Sequence, residues 1–257
     1  MKNSKWFIGT STVKVSLAIA AGLLCCNTGR SDTVVAPGQY AQSQDGIYNE
    51  ISEPLGGGSS GTALQYVISA SDLTGIVGQD LSGLAFRLNN MYAPSLPHFY
   101  YDDYTIQLSS FSGGSLSSIF ANNLVNPVTV RTGALSFDAG AFPNGAAPYT
   151  STPNEFGSTI AFQTGYTYAG GDLLVTIRHA QEQVDEGDFL PFFSEDAYFG
   201  SGSAGTLLAG DAGATFGSVY DNTPITEFTT GSVPEPSTLA LAAFSGMGAL
   251  MLFRRRK

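Results

Sequence analysis

Ala63-Leu64-Gln65-Tyr66-Val67-Ile68 is the stretch on which the fold turns. Apolar side chains alternate with more polar ones, and the run is bounded by glycine-rich sequence ahead of it and Ser69 after it. A period of two with aromatic and β-branched residues predicts a half-buried strand. The same pattern extends outward to Leu84-Ala85-Phe86-Arg87-Leu88 and Tyr104-Thr105-Ile106-Gln107-Leu108. It recurs at residues 128–131, 134–137, 159–162 and 173–177, and more weakly at 197–199 and 225–229. Turn sequences such as Gly56-Gly57-Gly58 and Phe142-Pro143-Asn144-Gly145 separate these segments. Residues 115–122 are the best candidate for a short helix, and residues 71–73 for a single turn. No segment carries a sustained 3.6-residue period. The expected fold is therefore all-β, an antiparallel β-sandwich with jelly-roll-like winding.

Composition agrees with many short strands. Hydrophobic residues make up 43% of the 257 and charged residues only 12%, about half the usual share. Glycine is abundant, with 31 copies. Charge is unevenly placed. Between residues 31 and 232 there are three basic residues (Arg87, Arg131 and Arg178) against twenty acidic ones, a formal charge of −17. Such a surface repels nucleic acid, since phosphate binding needs clustered Lys or Arg. It suits solubility by self-repulsion, or contact with a divalent cation or a basic partner. The two cysteines, Cys25 and Cys26, lie near the N-terminus, so no disulfide framework is expected in the domain.

The two ends read as addresses. Lys2, Lys5 and Lys14 precede an apolar run from 15 to 24, and polar residues follow. That is the layout of a secretory signal peptide, too short in its apolar part for a typical span. The cut is expected between Cys26 and Ala36. At the other end stand Val233-Pro234-Glu235-Pro236-Ser237-Thr238, an uncharged apolar run to Phe253, and Arg254-Arg255-Arg256-Lys257. As a helix, residues 238–253 would reach ~24 Å at ~1.5 Å per residue, a marginal membrane span. The four terminal cations would stay cytoplasmic. The chain thus divides into a signal peptide (1–30), an acidic β-sandwich domain (31–232) and a tail (233–257).

This tail resembles the PEP-CTERM sorting signal of exported proteins in Gram-negative exopolysaccharide producers. The resemblance implies a substrate of an exosortase, a membrane cysteine enzyme that cuts near the motif. It also implies passage through the secretion machinery and an inner-membrane intermediate held by the tail. Release to the cell surface or the extracellular space, in association with exopolysaccharide, would follow. A weaker resemblance covers residues 34–179. Some PEP-CTERM proteins share a β-domain with an "ASD" turn, an "aFR" strand and a "GGdLLv" strand. Here these are Ala70-Ser71-Asp72, Ala85-Phe86-Arg87 and Gly170-Gly171-Asp172-Leu173-Leu174-Val175.

Other motifs are weak. Gly57-Gly58-Ser59-Ser60-Gly61 formally fits G-x-S-x-G but lacks the strand-to-helix setting of a nucleophile elbow. Gly200-Ser201-Gly202-Ser203-Ala204-Gly205 formally fits G-x-G-x-x-G without a βαβ unit. His98 and His179 have no ligand or catalytic spacing. No cofactor is required by any motif. Glu182, Asp185, Glu186 and Asp188 form an acidic loop that could take calcium through oxygen ligands. Tyr92, His98, Tyr100 and Tyr101 form an aromatic loop that could stack on sugar or cap one end of the sandwich. The reading is an exported, non-enzymatic surface or matrix protein. The rivals are a carbohydrate-binding module and a secreted hydrolase.

Overall fold

A computed structural model of the chain describes residues 32–44, 50–51, 53–57, 59–91, 94–199 and 205–231. In chain order the strands are Asp32–Ala36 (β1), Glu50–Ile51 (β2), Thr62–Ile68 (β3), Asp80–Ala85 (β4), Phe99–Tyr101 (β5), Tyr104–Phe111 (β6), Val125–Arg131 (β7) and Leu135–Phe137 (β8). They continue with Ile160–Thr167 (β9), Asp172–His179 (β10), Gln183–Val184 (β11), Glu195–Phe199 (β12), Thr206–Ala209 (β13), Ser218–Tyr220 (β14), Asn222–Pro224 (β15) and Thr226–Thr230 (β16). Among the described residues the helical pieces are 3-10 turns at Gly38–Tyr40, Ala70–Ile76 and Phe120–Asn123. None of these is long and apolar enough to cross a membrane. The signal peptide and the sorting tail expected from the sequence lie outside the described residues.

The fold is an antiparallel β-sandwich. A six-stranded sheet runs β14-β13-β3-β10-β6-β7, and a four-stranded sheet runs β1-β16-β4-β9. Two three-stranded sheets, β11-β5-β8 and β15-β12-β2, complete it. The chain passes repeatedly from one large sheet to the other, the jelly-roll-like winding expected. Strand parity sorts the side chains, as the pleat demands. Leu64, Tyr66 and Ile68 of β3 face the main core, with Ile106 and Leu108 of β6 and Leu173, Val175 and Ile177 of β10. From the other large sheet come Leu81 and Leu84 of β4, Ile160 and Phe162 of β9, and Phe228 of β16. Tyr66 bridges the layers, its hydroxyl 3.1 Å from Thr226 Oγ1. Burial holds the Tyr66 phenol protonated far above its ordinary range.

One expectation needs correction. β3 is buried along its whole length rather than on one face. Ala63 and Val67 of β3, Leu174 of β10 and Leu207 of β13 pack beneath Leu116 and Phe120. The 3-10 turn Phe120–Asn123 therefore roofs the back of the six-stranded sheet. Gln65 is enclosed there with its needs met: its Nε2 donates to Phe120 O (3.1 Å) and Thr176 Oγ1 (3.0 Å), and its Oε1 accepts from Asn123 Nδ2 (3.0 Å). The expected short helix at 115–122 is thus this shorter turn, displaced toward its C-terminal end.

The motif residues meet in space. The Ala70 N–H donates to Asp172 Oδ1 at 2.9 Å, joining the "ASD" turn to the "GGdLLv" strand. Arg87 of the "aFR" segment is buried against Asp196 of β12, with Nη2 2.7 Å from Oδ2 and side-chain exposures of 1% and 0%. Its Nη2 also donates to Ser43 O at 2.7 Å, and the guanidinium lies 5.1 Å from the Phe156 ring centroid. Burial lowers the Arg87 pKa, and the Asp196 charge offsets part of that.

Candidate functional site

The aromatic segment expected to be a loop contains a strand. In β5, Phe99 pairs with Phe137 and Tyr101 with Leu135 of β8. Phe99 and Tyr101 are fully buried. The Tyr101 hydroxyl donates to Leu55 O, and the Tyr104 hydroxyl donates to Pro54 O at 2.6 Å. Burial first, then neighbouring negative charge, raises both phenols well above their ordinary range. Tyr101 therefore offers no ring face to a sugar, which removes it from the expected carbohydrate set. Tyr92 lies outside the described residues. His98 and Tyr100 stay half-exposed, with ring centroids 5.8 Å apart.

His179 closes β10 and is 1% exposed. Its ring stacks on Tyr104 at 5.4 Å and meets Tyr101 edge-on at 5.0 Å. Nδ1 lies 2.7 Å from Ala180 O, and Nε2 lies 2.9 Å from Glu53 O. Both nitrogens lie against main-chain carbonyls, so neither is placed to exchange a proton with a ligand. The backbone grips this residue closely. Gly61 has φ +74°, and a Cβ there would fall 2.2 Å from His179 O, so the turn before β3 requires glycine. This packing also explains the G-x-S-x-G sequence: its last glycine is a close-approach turn entering a strand, with no helix after it. Most of the Gly200-to-Gly205 motif lies outside the described residues.

The four acidic loop residues separate by role. Asp185 Oδ2 sits 3.2 Å from His98 Nδ1, linking the acidic and aromatic segments. Asp185, Glu186 and Asp188 are exposed. The Asp188 N–H donates to Asp185 O at 3.0 Å, which makes a turn. Glu182 is half-buried and faces the other way, into a cleft. Burial raises its pKa, partly offset by a backbone hydrogen bond and by His179. Among the described residues, no three His, Cys, Asp or Glu side chains converge as a metal centre would require.

A cleft of about 500 Å³ lies close to His179. Glu53, Thr62, Gln181 and Glu182 supply its polar lining, and Leu190, Phe192 and Phe193 much of its apolar wall. Sequence reading identified Glu182 but not Thr62, Glu53 or Phe192. Only the β3–β10 pairing, which sets Thr62 opposite His179, brings these distant segments together.

No curated protein and no solved structure matches the chain. A family model described as the PEP-CTERM protein-sorting motif matches residues 232–257. The match begins immediately after Gly231, whose N–H donates to Asp80 O at 2.9 Å as the sandwich ends. The chain is therefore an exported protein that ends in the sorting signal of PEP-CTERM proteins, a signal processed by an exosortase-type enzyme through a membrane-anchored intermediate.

Proposed function

We propose that the chain is a non-enzymatic structural protein of the cell surface or extracellular matrix, delivered there when its tail is processed. The observation that carries this is the sorting motif at 232–257, which follows directly on the β-sandwich. The non-enzymatic reading is supported by His179, whose two ring nitrogens both face main-chain carbonyls. The acidic, lysine-free domain surface favours solubility and hydrated surroundings. An exopolysaccharide-rich matrix is such a setting.

The test is replacement of Pro234, Glu235 and Pro236 by alanine in the full chain. The variant is expected to accumulate as an unprocessed, membrane-held precursor, while the parent is trimmed and leaves the membrane. Intact-mass spectrometry of membrane and released fractions reads this. Normal trimming and release of the variant would refute the sorting role.

A further inference from the structure

We propose that the cleft between Glu53, Glu182 and Phe192 is a binding site for an amphipathic organic cation: an ammonium or guanidinium group on an apolar stem. The ligand class follows from the lining. Glu53 and Glu182 line the cleft, and among the described residues that line it there is no lysine or arginine. Leu190, Pro191, Phe192 and Phe193 form a wall with no charge to offer. Phe192 is 65% exposed, a large aromatic held at the rim rather than in the core. A ring so placed suits a cation or its stem.

Two polar atoms inside the cleft are independently incomplete. Thr62 is 1% exposed, lines the cleft, and its Oγ1 has no hydrogen-bond partner. Glu182 Oε2 is likewise shut off from solvent without a partner. Buried polar atoms are nearly always paired, so an unpaired hydroxyl and an unpaired carboxylate oxygen in one cavity mark a place where a polar ligand belongs, and both can accept from a donor. An ammonium or guanidinium brings several donors and no acceptor, which fits both. The charge helps equally: burial disfavours the ionised Glu182, and a bound cation restores it. A neutral sugar could supply donors but would add no charge to what His179 already sets against Glu182.

Close backbone packing lines this end of the cleft. A Cβ at Gly57 would fall 2.2 Å from Thr62 Oγ1, so any larger residue there would push that hydroxyl aside. His179, fixed between Ala180 O and Glu53 O, ties the Glu53 backbone to the end of β10. Thr62 of β3 thus gives the site a strand end, while Glu53, Glu182 and Phe192 come from the connecting segments beside it.

The test uses the full-length chain in a neutral polyoxyethylene detergent, titrated with agmatine by calorimetry at fixed ionic strength. Saturable binding in the millimolar range or tighter is expected. Glu182→Gln should weaken it about tenfold or more, because a charge-assisted hydrogen bond is lost. Glu186→Gln, an exposed acid of the same loop outside the cleft, should leave it unchanged. Thr62→Val separates binding from folding. It should raise the melting temperature, since an unpaired buried hydroxyl is removed, while weakening agmatine about three- to tenfold. Affinity should also fall on acidification at a pH above the ordinary carboxylate range, as Glu182 takes up its proton. Absence of saturable binding would overturn the proposal. So would equal losses in Glu182→Gln and Glu186→Gln, which would mean diffuse attraction to an acidic surface. Binding of glucose or galactose in place of agmatine would overturn it as well.

Discussion

Arg87 and Asp196 form a charged contact sealed inside the domain, and their energetics follow from that seal. Taking two charges out of water is costly, and a close, multiply hydrogen-bonded geometry is needed to offset it. Here Arg87 Nε and Nη2 both reach Asp196 Oδ2, at 2.8 and 2.7 Å, while Gln44 Nε2 approaches Oδ1 at 3.3 Å. Removing one partner strands the other in the core. Asp196→Ala is expected to destabilise the protein by about 3–5 kcal/mol. The double change Arg87→Met with Asp196→Leu should cost much less than the sum of the single changes, because neither charge remains. Urea unfolding of the four proteins in a mutant cycle checks this. Additive losses would show that the two residues act separately. The sequence displayed Arg87 as a lone cation in a strand-like run; it could not display the partner 109 residues away.

Strands β3, β6 and β10 were legible because their side-chain period of two survives burial. What was not legible is that the second face is covered too. A Gln at position 65 looks like a solvent-facing residue until a roof arrives from residues 116–123, and only tertiary contact brings that roof. β5 escaped notice for a different reason. Phe99-Tyr100-Tyr101 follows Pro94 and Pro97, and a proline-rich lead suggests a loop, whereas cross-strand contacts with β8 make it a strand. β13 and β14 are too short for periodicity to register. The cleft was legible only at Glu182, since Thr62 and Phe192 gain meaning from pairing across the sheet. The roof itself makes a prediction. Asn123 Nδ2 donates to Gln65 Oε1 and to Ser117 O at 2.9 Å, and its Oδ1 accepts from the Ser117 N–H at 2.8 Å. Asn123→Ala should destabilise by about 1–3 kcal/mol through the partners left unpaired. Amide hydrogen exchange should quicken first across residues 116–124, while β10 stays protected. Equal quickening in β10 would mean that the roof and sheet open together.

At the scale of the whole molecule, the four-stranded sheet brings together the first and last of the described strands. β16 lies between β1 and β4, with Asp32 opposite Thr230 and Ala36 opposite Thr226. Ile225 and Phe228 are fully buried. A chain ending after Pro224 therefore loses an inner strand and both of its interfaces, and is expected to be degraded or to unfold at ordinary temperature. A chain ending after Ser232 keeps every described strand and should resist protease as the parent domain does. Limited proteolysis of the two exported truncations checks this, and comparable resistance would show that β16 is dispensable. The same pairing fixes a sequence of events. Among the described strands β1 comes first in an exported chain, yet the strand it pairs with is the last, 198 residues later along the Thr230–Asp32 contact. Long-range closure of this kind is slow and waits for the final segment. Until β16 emerges, β1 has a free edge on each side and the sandwich stays open. Completion of the fold and arrival of the sorting signal at the membrane thus fall at the same moment of export, so a domain cut free at its tail is one that has already had the chance to close.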